Sequence, residues 1–243
     1  LVIDDLADRR HDADVLLDPT LGRSAADYAA LVSDRCEVLT GPRYALLRSE
    51  FAAARAAALD ARDRACGRLL VTLGVTDPGN LTETVLEGIA ASGLALAVDV
   101  VLGSSAPHLS RVLARAQAMP QPTRVLVDAG DMAALMTAAD LAIGAAGGTA
   151  WERCCLGLAS ITVTVAENQR PISDALVRAG AVESLGSGAG LTPEAVCAAL
   201  VRLATDSKKR LRMARDAATV CDGRGADRVL RVLMRVCEGA GGP

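Results

Sequence analysis

The residues from Gly144 to Leu158 read GAAGGTAWERCCLGL, and several of their types could do chemistry. Ala145, Ala146, Gly147 and Gly148 follow the apolar run LAIGA (141–145) and precede a segment that reads as a helix from about Thr149. Small residues let a diphosphate approach the backbone, and a helix N-terminus adds roughly half a positive charge. Glu152 falls in the first turn, where a carboxylate ordinarily complements the dipole. Beside a bound nucleotide it would instead accept hydrogen bonds from two ribose hydroxyls, as acidic residues do in dinucleotide sites. Spacing leaves both roles open. Trp151 reads as a packing residue. Cys154 and Cys155, set among Leu156 and Leu158, read as buried structural thiols rather than nucleophiles.

Three other loops carry polar groups at strand ends. In LGVTDPGN (73–80), Gly74 allows a sharp turn, and Thr76 offers a hydroxyl beside backbone N–H groups at a helix start, an arrangement open to an anion or to an ordinary strand-to-helix turn. In VDAGDM (127–132), Asp131 is placed as a helix N-cap, and backbone groups around Val127 could pair with a flat base edge. In AENQRP (166–171), Asn168 and Gln169 are uncharged donors and acceptors suited to sugar hydroxyls or an N-acetyl group.

Positioning these loops requires a regular scaffold. LVID (1–4), DVLLD (14–18) and CEVLTG (36–41) read as short buried parallel strands. Residues 44–63, alanine-rich and free of glycine and proline, read as a helix, and the return to β-forming residues after Gly67 sets a boundary near 60–67. Beyond it strands (68–74, 95–103, 123–130, 141–145, 159–166) alternate with helices (81–92 with Asn80 as cap, 107–117, 131–140, from 149, and 171–180 closed by Gly180). Three more helices follow, over 192–206, 207–220 and 222–239. That alternation predicts a doubly wound parallel sheet with ligands beyond the carboxyl ends of its strands.

Composition narrows the partners. The 243 residues carry a net charge of −3, so no basic field attracts nucleic acid or anionic lipid. No apolar run approaches the ~18 residues of a membrane span. Seven cysteines among helical segments, with no zinc-type spacing and two histidines, point to a reduced, cytoplasmic setting without a metal site. LVID opens the chain with no methionine and no lead-in, and reads as part of a longer polypeptide.

Taken in order, VIDDLADRRH, LLDPTLGR, GPRYALLRSEF, VTLGVTDPGNLT, DMAALMTAADLAIGAAGGTAWERCCLGL and ENQRP resemble the UDP-sugar hydrolases of the pseudaminic acid pathway, over residues 1 to about 180. The resemblance implies an α/β, GT-B-like fold of two Rossmann-like parallel-sheet domains: an incomplete first one in residues 1–63 and a nucleotide-binding one in 67–243. It implies kinship with the N-acetylglucosaminyltransferase that makes lipid II. It also implies metal-independent release of UDP from a UDP-linked diacetamido-trideoxy sugar, with UDP and the UDP-sugar as ligands and no cofactor. On it, Glu152 matches a ribose-binding glutamate, and Gly147, Gly148 and Thr149 a diphosphate loop. Gly74 and Thr76 lie in a phosphate-contacting loop, Val127 lies where backbone atoms meet uracil, and Met132 is among the UDP-binding residues. Asn168 and Gln169 match a sugar-side polar pair, Asn168 as the catalytic member and Gln169 among the UDP-binding residues.

Departures from the pattern are specific. Gly74-Val75 stands where a Gly-Gly pair is usual, which narrows the first phosphate loop, and Pro19-Thr20 where a Gln-Asn pair is usual. The family's basic loop with its catalytic histidine would precede Leu1, and neither His11 nor His108 has that context; both read as structural. The expectation is weak UDP binding and little turnover by these 243 residues alone, in a monomer or weak homo-oligomer. A transferase on the same fold and a non-catalytic UDP-sugar-binding module are the competing readings.

Overall fold

A computed structural model describes residues 1–240, which form two parallel sheets. The first has three strands, β1 (Val2–Ile3), β2 (Val15–Asp18) and β3 (Glu37–Thr40), in that spatial order. Leu16 pairs with Val2 on one side and Val38 on the other. Val15, Leu16 and Leu17 of β2 are fully buried, as an apolar run in the middle of a parallel sheet should be, and Asp18 at its end is buried with them.

Helix α1 (Ser49–Asp60) leads to the second sheet. There β4 (Arg68–Thr72), α2 (Leu81–Ala91), β5 (Ala97–Leu102), α3 (Leu109–Gln117), β6 (Thr123–Val127), α4 (Met132–Ala138), β7 (Leu141–Ala145), α5 (Thr149–Cys155), β8 (Ser160–Thr164), α6 (Arg170–Arg178) and β9 (Val182–Ser187) alternate. The spatial order is β6-β5-β4-β7-β8-β9, parallel throughout. Side chains of β4 alternate between two cores, as the pleat requires. Leu69 and Val71 join Val85, Ile89, Leu200 and Leu203 on one face, while Leu70 joins Met136, Trp151, Cys154 and Leu176 on the other.

Helices α7 (Pro193–Thr205), α8 (Ser207–Val220) and α9 (Gly225–Ala240) complete the chain. The α9 helix, late in sequence, returns to the first sheet: Val229, Val232, Leu233 and Val236 pack on Val15, Leu17 and Leu39.

Three local expectations need correction. The helix expected over 44–63 begins only at Ser49, because Ala45 and Arg48 are extended (ψ 127° and 148°). The backbone of Tyr44 and Ala45 lies against Gly225, where even a Cβ would come within 2.1 Å of the Ala45 carbonyl oxygen. Tertiary contact there overrides helix propensity. Residues 182–187 are the edge strand β9, whose mixed burial hid it from a search for apolar runs. Asn80 precedes α2 with φ +52° and caps nothing with its side chain. Asp77 does so instead, accepting from the N–H of Leu81 (3.0 Å) and Thr82 (2.8 Å).

Candidate functional site

The central strands β4 and β7 are neighbours, yet the connections that follow them run outward in opposite directions. Their loops therefore part at the carboxyl edge and leave a crevice, the position at which open α/β sheets bind ligands. Gly74, with φ +114°, turns the first of these loops away from β4, a conformation that a side chain would strain. The carboxylate of Asp77 occupies the first N–H groups of α2. Consequently the anion site foreseen beside Thr76 lacks free backbone donors at that helix start.

The second loop is different. Ala150 and Trp151 donate to the carbonyls of Gly147 (2.8 Å) and Gly148 (3.1 Å), closing the first turn of α5. Among the described residues, the N–H groups of Gly147, Gly148 and Thr149 have no protein acceptor. Gln169 bridges this loop to the next one: its Oε1 accepts from Val165 N (3.1 Å), and its Nε2 lies 3.2 Å from where a Cβ on Gly147 would stand.

Two cavities open on this edge and share Gly74. The smaller, about 200 Å³, is lined by Gly74, Val75, Asp128, Met132, Thr149 and Glu152. The larger, about 810 Å³, is lined by hydroxyls and acids including Thr76, Thr84, Thr164, Glu167 and Ser187. Thus four of the expected UDP residues (Gly74, Met132, Thr149 and Glu152) meet in one cavity, while Thr76 faces the other. Val127 ends β6 immediately before Asp128 and is itself 40% exposed. Gly147, Gly148 and Gln169 stand on the loops between, whereas Asn168 is exposed and lines neither space. Val75 adds bulk to the wall of the small cavity, and its carbonyl accepts from Gly103 N at 2.8 Å.

Glu152 is the electrostatic centre of the small cavity. Burial pushes its carboxyl pKa above the ordinary glutamate range, and nearby Arg48 and Arg153 only partly offset this. No protein donor bonds it among the described residues, so it is a half-buried acceptor with open lone pairs. Arg48, which sequence reading passed over, donates to Gly130 O (3.1 Å) and pairs with Glu50 (3.0 Å), tying the start of α1 to the β6–α4 loop. Asp128, with φ +52°, accepts from Ser104 N at 3.0 Å and fixes another wall. Neither role has a local signal in sequence.

The remaining residues of the Gly144–Leu158 stretch pack. Trp151, Cys154, Cys155 and Leu156 belong to the core beneath α5, and burial pushes the Cys154 thiol up to about 12, far from a thiolate at neutral pH. His108 touches the Pro78 carbonyl (3.1 Å) and His11 faces Asp4; neither lines either of the two cavities. Pro19 and Thr20 lie at the end of β2, with Thr20 N donating to Asp18 (2.8 Å). Among the described residues no helix is long and apolar enough to cross a membrane.

No protein-family model matches the chain. It is 30% identical over 211 residues to the spore coat polysaccharide biosynthesis protein SpsG of Bacillus subtilis, covering 85% of this chain and 61% of that protein. It is a distant homologue of the UDP-2,4-diacetamido-2,4,6-trideoxy-beta-L-altropyranose hydrolase of Campylobacter jejuni, 26% identical over 170 residues, with 70% of this chain and 59% of that protein covered. The chain therefore spans about three fifths of the length of these relatives. In structure it is similar to MurG of Acinetobacter baumannii, with a TM-score of 0.70 at 18% identity, over 91% of this chain and 66% of that one. At that identity the likeness is one of fold: α/β and GT-B-like.

Proposed function

We propose that this chain carries the nucleotide-binding part of an enzyme that hydrolyses a UDP-linked diacetamido-trideoxy sugar, in the biosynthesis of a surface polysaccharide or nonulosonate sugar. The observation that carries the reading is Glu152, a half-buried carboxylate without a protein donor, facing a cavity beside three free backbone N–H groups. A ribose supplies the two O–H donors that the carboxylate lacks, and a diphosphate supplies acceptors for the N–H groups of Gly147, Gly148 and Thr149. The uracil then rests towards Met132 and the end of β6, near Val127. Beyond the shared rim at Gly74, the larger hydroxyl-lined cavity has room for a sugar, with Gln169 and Asn168 at its approach. The distant homology to a UDP-sugar hydrolase supports this substrate class.

In the reaction, water attacks the anomeric carbon as its bond to the diphosphate oxygen breaks, and UDP leaves with the electron pair. Fixed N–H dipoles at the glycine loop stabilise the charge gathering on that oxygen without reorganising. The attacking water needs a base; neither histidine of the chain lines these cavities, whereas the carboxylates of Asp77 and Glu167 line the larger one.

Two measurements test the reading. Full-length protein incubated with the UDP-sugar should yield free sugar and UDP; formation of an adduct with an acceptor alcohol would instead make it a transferase. Calorimetric titration of the chain with UDP should show binding that Glu152→Ala weakens, and equal affinity for both proteins would remove Glu152 from the ribose role.

A further inference from the structure

Among the described residues three arginines are nearly fully buried, and two of them follow one rule. Arg62, 7% exposed, donates to the carbonyls of Met136, Ala139 and Leu156, at the carboxyl ends of α4 and α5. Arg210, 4% exposed, donates to the carbonyls of Leu203 and Ala204, at the carboxyl end of α7, and to that of Arg64. Helix carboxyl ends carry partial negative charge, so a buried cation is matched there.

Arg153 breaks the rule. It is 1% exposed and reaches back along α5 to the opposite end, where Nη2 donates to Ala145 O (2.6 Å) and Nη1 to Thr149 Oγ1 (3.2 Å). Among the described residues its Nε has no partner and no carboxylate forms an ion pair with it, since neighbouring Glu152 faces the cavity instead. The guanidinium fills the place a side chain on Gly144 would take: a Cβ there would lie 2.5 Å from Nη1. Gly144 pairs with Thr72 between β7 and β4, so the buried cation sits at the parting of the two loops. Burial lowers its pKa to about 10, which leaves it charged at neutral pH. Glu152, the next residue back in the chain, acts on this charge through space only and does not hydrogen-bond to it, so the buried guanidinium lacks the directly bonded counter-ion that buried charges ordinarily have.

We propose that Arg153 is a positioning residue for the ligand's diphosphate, its buried positive charge under the Ala145–Thr149 loop being completed by the diphosphate's negative charge. By donating to Thr149 Oγ1 it also turns that hydroxyl hydrogen outward, towards the ligand. The inference rests on the UDP reading above but makes a separable claim, that the diphosphate and not the nucleoside is what Arg153 serves.

Calorimetric titration of the whole chain with uridine, UMP and UDP tests it, using wild type, Arg153→Met and Arg153→Lys. Arg153→Met should lose at least about tenfold in UDP affinity with uridine affinity unchanged, and Arg153→Lys should recover part of the loss. Parallel losses for uridine and UDP, or none, would overturn the proposal. Should Arg153→Met fail to fold, Gly144→Ala displaces the guanidinium without deleting it and should show a smaller loss confined to UDP; an equal loss for uridine counts against the proposal. If wild type binds no uridine compound, the UDP reading falls on its own. Inorganic pyrophosphate then decides for Arg153, with binding by wild type and not by Arg153→Met supporting it, and absence of binding by wild type overturning it.

Discussion

Buried charge gathers at the carboxyl ends of both sheets, and the two groups are built in opposite ways. At the first sheet, Asp4 follows β1 directly and Asp18 ends β2. The Tyr28 hydroxyl lies 2.8 Å from Asp4 and 2.7 Å from Asp18. Arg23 Nε meets Asp18 at 2.7 Å, and the N–H groups of Thr20 and Ala7 close on Asp18 and Asp4 at 2.8 Å each. Burial and the two carboxylates raise the pKa of the Tyr28 phenol, so it keeps its proton. At the second sheet, Glu152 receives no protein donor and Arg153 Nε meets no acceptor. The first network closes on itself except at His11 Nε2, which lies buried 3.5 Å from Asp4 without a hydrogen bond, and it ties chain segments together, whereas the second leaves both a carboxylate and a guanidinium nitrogen open.

The comparison breaks most visibly at Asp18. Removing one partner from a buried, hydrogen-bonded charge group costs about 3–5 kcal/mol. Asp18→Ala should therefore lower Tm sharply, while the protein that still folds keeps its UDP affinity. A loss of UDP affinity in the folded protein would mean that the first-sheet cluster is also part of the ligand site. The opposite pattern is expected at Glu152. Each ribose hydrogen bond to a carboxylate is worth about 1.5–3 kcal/mol, so losing even one costs roughly 10–150-fold in Kd. Glu152→Ala should show that loss in a titration with UDP and no fall in Tm. If its Tm falls as far as that of Asp18→Ala, the contrast between the clusters is wrong.

Much of the second sheet is legible in sequence because β4, β5 and β6 are apolar runs closed by glycine or aspartate and β7 and β8 are apolar runs between helical segments. The gaps have physical causes. Strand β9 lies at an edge, where half-exposed Glu183 and Ser184 interrupt the apolar signal. Residues 45–48 look helical by composition, but Ala45 and Arg48 are extended where the chain packs against Gly225, almost 180 residues later. Cap assignment fails at Asn80 because Asp77, three residues earlier, folds back under a left-handed turn. In the site, Glu152 and the glycines stand out by type and spacing. Arg153 does not, since its meaning depends on which end of α5 its guanidinium reaches and on Gly144 leaving room. Likewise Arg48 acquires a role only when α1 meets the β6–α4 loop in space.

The smallest expected effect separates the clusters by sign. Burial works to raise the pKa of Asp4, but Ala7 N–H, Tyr28 and His11 outweigh it and hold the carboxyl below its ordinary 3.8. The stability this provides is present above that value and lost as pH falls through the lower folded one. Glu152 runs the other way: burial holds its folded pKa above the ordinary 4.5. Its contribution is favourable below 4.5 and lost as pH rises through the folded value. In the absence of ligand, Asp4→Asn should thus lower Tm at pH 7, with the deficit shrinking in acid. Glu152→Gln should raise Tm at pH 7, by no more than about 0.5 kcal/mol in stability, and the gain should vanish on acidification below 4.5. On the proposed ribose role, the same proton should make UDP affinity of the wild type fall as pH drops through the raised pKa, because a protonated carboxyl accepts fewer hydrogen bonds. Thermal unfolding of both variants between acid and neutral pH reads the two signs directly. A fall in Tm for Glu152→Gln at pH 7 would show that its carboxylate is already satisfied within the protein and is not waiting for a ligand.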